Sequence, residues 1–137
     1  MNDALRYNPS SVWTVPEAFR TIYSHAVEVP PGVRLMFVSG QFGIAPDGSL
    51  APGFEDQLEQ AMNNIEALLA DAGMSKADIV KTNYYLTRGS DLPALGAVRR
   101  RRWAKSAPEA VTVIVVAGLA RPDCLVEVEA IAAHREG

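Results

Sequence analysis

The stretch that most constrains the fold is 110–120, AVTVIVVAGLA. From 111 to 117 it is apolar at every position except Thr112. It is rich in β-branched residues, which marks a strand. Side chains of a strand alternate between its two faces. Both faces of this strand are apolar, so both need burial. A layer of helices can cover only one of them, and an uncovered second face would be a large apolar patch. Two remedies exist. The sheets of several copies can pack together, or N-terminal residues can fold back over the sheet. Self-association is the simpler remedy, and it predicts a homo-oligomer.

The remaining elements follow from periodicity and turn residues. The first 20 residues, with Pro9 and Pro16, read as an irregular arm with room for one short strand. Residues 23–29 read as a strand stopped by Pro30, Pro31 and Gly32, with 33–40 as its hairpin partner. Asp47-Gly48 is a turn signal. Over 54–72, Leu58, Ala61, Met62, Ile65, Leu68, Leu69 and Ala72 recur at spacings of three and four, forming one apolar stripe of a helix. Gly73 supplies its C-terminal cap. A strand is expected over 78–87, a helix over about 91–105 with Pro93 in its first turn, and a last strand over 124–134, CLVEVEAIAAH. The order is β-β-α-β-α-β-β, an α+β sheet with two helices. In the last strand Glu127 and Glu129 share one face. Unpaired buried carboxylates are costly, so that face must meet polar groups.

A chain of 137 residues suits one domain, 1–137. It is 48% hydrophobic and 21% charged, which places it among globular rather than disordered chains. No apolar run approaches the roughly 20 residues of a membrane helix, and no secretory signal is readable. The one cysteine, Cys124, fits a cytoplasmic location. A net charge of −3 argues against a nucleic-acid partner. Arg99 to Arg102 cannot share one helical face, since residues step about 100° each. They are expected to be solvated, or paired with Asp91, Glu109, Glu55, Glu59 or Glu66. Two histidines, His25 and His134, make no zinc-like cluster. Nothing in the chain calls for a metal or a cofactor, and no dinucleotide or phosphate loop is present.

Five segments, YSHAV, VSGQ, QLEQAMNNIEALLADAG, DIVKTNYYLT and LVEVEAIA, occur in the order and spacing of a known family. Over about 23–132 the chain resembles the Rid family of reactive-intermediate deaminases, also called YjgF-like proteins. The resemblance implies a chorismate-mutase-like mixed sheet of about six strands with two helices on one face. It also implies a homotrimer packed through the sheets, with small-molecule clefts between subunits. Active members hydrolyse imines and enamines such as 2-aminoacrylate, without a cofactor.

Residue by residue, the family's water-positioning acid matches Glu127, its cleft aromatic matches Tyr23, and its Ser-Gly pair matches Ser39 and Gly40. Glu129 is then structural. His25 follows Tyr23 by two residues and shares its face on a regular strand. The family's arginine at the start of the penultimate strand grips the substrate carboxylate through two parallel hydrogen bonds. Here the sequence reads PEAVTVIVV, so Val111, or Thr112 after a one-residue shift, stands in its place. Arg99, Arg102 and Arg121 are the candidates for a replacement cation. The expected function is therefore hydrolytic deamination of an imine, enamine or related metabolite other than 2-aminoacrylate. The alternative is a trimer that binds a metabolite without turning it over.

Overall fold

The computed structural model describes residues 2–136. Strand β1 (Leu5–Tyr7) and strand β2 (Ala26–Glu28) precede β3 (Arg34–Phe42) and helix α1 (Gly53–Asp71). Then come β4 (Ile79–Leu86), α2 (Leu92–Arg102), β5 (Ala110–Val115) and β6 (Val126–His134). The six strands divide between two sheets. One is four-stranded and mixed, in the order β3-β6-β4-β5, and the other is the antiparallel pair β1-β2.

Helix α1 forms where the apolar stripe demands it. Leu58, Ala61, Met62, Ile65 and Leu69 are all buried. Leu68, expected on the stripe, lies outside it and is exposed. The helix ends in a Schellman turn. The Gly73 amide donates to the Ala70 carbonyl and the Met74 amide to the Leu69 carbonyl. Gly73 has φ +73°, the left-handed geometry that favours glycine. The short α2 starts with Pro93 in its first turn and links β4 to the parallel β5. Leu95 and Val98 of α2 join the α1 stripe over Val38, Tyr84, Leu86, Val126 and Val128. Both helices thus cover the same face of the four-stranded sheet.

Two expectations are corrected, and one of the two remedies for the apolar strand is not taken. First, β2 and β3 are not a hairpin. β2 pairs with β1, and β3 pairs with β6. The turn at Pro30-Pro31-Gly32 carries the chain from one sheet to the other instead of closing a ladder. Second, the strand expected over 110–120 stops at Val115. Its neighbour β4 ends at Leu86, which accepts a last bond from the Val116 amide, so no ladder partner remains beyond it. The alternative remedy is the one not taken: among the described residues the N-terminal arm does not cover the second face of the sheet. Leu35, Phe37 and Ile114 stay exposed there, Phe37 at 71%. The arm docks on the free edge of β5. Ser24 makes a parallel bridge to Ala110, and its hydroxyl donates to the Pro108 carbonyl at 2.7 Å.

Candidate functional site

Strand alternation sorts the candidate residues onto two sides of the four-stranded sheet. On the open side, away from the helices, β6 presents Glu127 and Glu129, β4 presents Lys81, Asn83 and Tyr85, and β5 presents Thr112. This is a polar row inside an otherwise apolar face. Glu129 is held within it. Asn83 Nδ2 donates to its carboxylate at 2.8 Å and the Tyr85 hydroxyl at 2.5 Å. Those two bonds hold its pKa below the ordinary glutamate value. Thr112 accepts from Lys81 Nζ at 2.7 Å.

Glu127 is in a different condition. It lies opposite Phe42 of β3 and Tyr85 of β4. The β3–β6 register shifts between Val38 and Gln41, which places Ser39 and Gly40 in a bulge beside it. Gly40 is required there, because a Cβ at that position would overlap the Glu127 carboxylate. Among the described residues the carboxylate has no hydrogen-bond or ion-pair partner. Burial, and secondarily the charge of Glu129, raises its pKa above the ordinary value. An unpaired carboxylate of raised pKa is suited to take a proton from water. Ser39 lines a neighbouring cavity of about 300 Å³ with Phe37, Lys81, Asn83 and Glu129.

Tyr23 and Val111 lie elsewhere, where the arm meets the free edge of β5. With Trp13, Phe19, His25 and Arg99 they surround an open cavity of about 590 Å³. Val111 pairs with Thr82 in the ladder and packs toward the core on the helix-bearing side, while Thr112 points to the opposite side. Only Val111 shares a cavity with Tyr23. The aromatic rings are mutually fixed. Trp13 and His25 stand edge to face, 4.5 Å between centroids, and Tyr23 and His25 stand 6.0 Å apart. His25 Nε2 lies 2.6 Å from the Trp13 carbonyl oxygen, which only accepts, so Nε2 carries the proton.

The arginine run disperses. Arg102 pairs with Glu59 and Glu66, each at 2.9 Å, and Arg101 also pairs with Glu59. Arg100 lies over the Phe19 ring. Arg121 sits by Asp123 on the surface. Arg99 alone turns inward. It is 5% exposed, donates to the Ile22 carbonyl at 2.7 Å, and stacks 4.9 Å over the Tyr84 ring. It lines the cavity with Tyr23 and Val111. Trp13 and Phe19 carried no sequence signal, because they belong to an irregular arm and meet the cavity only through the tertiary fold.

Two helices on one face of a mixed sheet, with an open second face bearing the acids of the last strand, define the YjgF-like α+β class. The family model described as endoribonuclease L-PSP matches residues 16–134. The RutC family protein PYRAB12510 of Pyrococcus abyssi is 36% identical over 80% of this chain and 84% of its own. A mouse protein named 2-iminobutanoate/2-iminopropanoate deaminase is 35% identical over 80% of this chain and 79% of its own. Among solved structures, YyfB of Yersinia pestis, a Rid-family protein of unknown function, matches 98% of this chain and all of its own. Its TM-score is 0.84 at 30% identity. RidA of Psychrobacter matches 82% of this chain and 88% of its own, with TM-score 0.70 at 35% identity. The chain belongs to the Rid family. Among the described residues no helix is long and apolar enough to cross a membrane.

Proposed function

We propose that the 137-residue chain acts as one Rid-type domain in a homotrimer that hydrolyses an imine or enamine in a cleft between subunits, with Glu127 positioning the water. The observation that carries this reading is the Glu127 carboxylate, unpaired, of raised pKa, and accommodated by the missing side chain of Gly40. Relatives named 2-iminobutanoate/2-iminopropanoate deaminases support the reaction class. The uncovered apolar residues of the open face support the assembly. So does the placement of the candidate residues. Tyr23 and Val111 lie on one side of the sheet and Glu127 on the other, so a second copy is what brings both sets to one ligand.

In this reaction Glu127 takes a proton from water as the water oxygen bonds to the imine carbon. That proton passes to nitrogen and gives a carbinolamine; its hydroxyl proton is then transferred to the nitrogen as the C–N bond breaks, and a carbonyl compound and ammonia leave. The substrate is not the usual 2-aminoacrylate, because Val111 stands where the carboxylate-binding arginine belongs. The test is ammonia release from imines generated in situ by an amino-acid oxidase. Glu127→Gln should abolish the enzyme-dependent part. Equal rates for wild type and variant across an oxidase-derived panel would overturn the hydrolytic reading.

Val111 also favours a second reading, a trimer that binds a metabolite without hydrolysing it. It expects thermal stabilisation by a ligand together with no ammonia release.

A further inference from the structure

The cavity at the β5 edge contains more than the family resemblance accounts for. Its outer wall, Trp13, comes from an arm that precedes the family match at residue 16. The Psychrobacter RidA structure covers only 82% of the chain, whereas the YyfB structure covers 98%. The floor is apolar, made by Val111 and Val113. The walls are the rings of Trp13, Phe19 and Tyr23.

One cation stands in this apolar setting. Arg99 is 5% exposed, and its guanidinium donates to the Ile22 carbonyl yet has no carboxylate partner among the described residues. The other inward-reaching cation of the region, Lys105, has Glu109 at 3.2 Å. A buried charge without a counter-ion is costly, and Tyr84 offsets only part of that cost by stacking. A guanidinium with free donors is a fork for a carboxylate.

We propose that Arg99 is the substrate-anchoring cation of this protein, and that the cavity takes a carboxylate bearing a bulky aromatic side chain. This rests on the reading of the same cleft as the substrate site. The carboxylate meets Arg99, and the aromatic side chain lies against Val111 and Val113 between the rings of Trp13 and Phe19. A valine in place of the family arginine is then part of the specificity. It removes one cation from the floor and leaves room and apolar surface for a side chain that a smaller substrate lacks.

The test is calorimetric titration of the whole protein with phenylpyruvate, the stable 2-keto acid that an aromatic imino acid would yield. Two comparison ligands are pyruvate, which lacks the ring, and phenylpyruvamide, which lacks the charge. Each comparison ligand should bind at least about tenfold more weakly than phenylpyruvate, the loss expected for one charge-assisted contact or one buried ring. Arg99→Gln should lose about tenfold or more for phenylpyruvate and little for the amide. Trp13→Ala should narrow the gap between phenylpyruvate and pyruvate. Equal binding of acid and amide by wild type, or of phenylpyruvate and pyruvate, overturns the proposal, and neither comparison depends on a variant folding. The two readings also fail separately. Arg99-dependent phenylpyruvate binding without ammonia release from any imine sinks the hydrolytic function and keeps the anion site. Ammonia release with equal binding of acid and amide does the reverse.

Discussion

Glu127 and Glu129 are two residues apart on one strand and one face, yet their surroundings drive them in opposite directions. Glu129 is lowered by its bonds from Tyr85 and Asn83. Glu127 is raised, first by burial and then by Glu129. The sign for stability follows. Between its unfolded and its raised folded pKa, the native state binds more protons at Glu127 than the unfolded chain does. Its contribution to stability therefore falls as pH rises through that window and stays unfavourable above it. Glu127→Gln should accordingly raise the melting temperature by a few degrees at pH 7, with the gain vanishing well below pH 4, while turnover is lost. Scanning calorimetry at both pH values checks this. In turnover, the base must be charged, so the acid limb of kcat/KM should have its midpoint above the ordinary glutamate value of about 4.3. For Glu129 the sign reverses. Its stabilisation is present above the unfolded pKa and is lost as pH falls through the lower folded one. Tyr85→Phe should move the Glu129 titration, followed by NMR, up toward its ordinary value. Gly40→Ala should cost most of the turnover with Glu127 intact, because the new methyl displaces the carboxylate.

Among the elements, α1 was the most legible, because a 3.6-residue period is local and survives any tertiary arrangement. Even there one position differed. Leu68 matches the spacing but lies outside the buried stripe. The contrast is measurable by urea titration. Ile65→Ala should cost about 2–5 kcal/mol, as for other fully buried aliphatic side chains, whereas Leu68→Ala should stay within roughly 0.5 kcal/mol. Gly73→Ala should cost about 1 kcal/mol. The added methyl meets open space, so the cost is the left-handed backbone alone. Strands were legible as strands, but their partners were not. Residues 23–29 and 33–40 look like a hairpin in sequence, and only the pairing of β2 with β1 across a long loop shows otherwise. The composition of 110–120 likewise predicts too long a strand, because the length of the parallel β5 depends on its neighbour's end, here Leu86, and not on its own composition.

For the whole molecule, the apolar run 111–117 implied a second covered face, and the fold leaves that face open with Leu35, Phe37 and Ile114 exposed. Under the trimer proposed here, Phe37→Lys combined with Ile114→Lys should give a folded monomer in sedimentation equilibrium and abolish ammonia release. A wild-type monomer at micromolar concentration would overturn both the assembly and the shared cleft.

By itself the sequence determined the α+β class, the stripe of α1, the Gly73 cap, the strand bearing the two acids and membership of the Rid family. Each of these depends on residue type and short-range spacing. The tertiary structure decided which of the two acids is left without a partner, because that depends on Asn83 and Tyr85 from another strand. It also decided that Arg99, alone of four consecutive arginines, turns inward to the cavity with Tyr23 and Val111. Consecutive residues of a helix point in different directions. Which direction leads to a cavity is set by what packs around the helix, here an N-terminal arm more than 70 residues away in the chain.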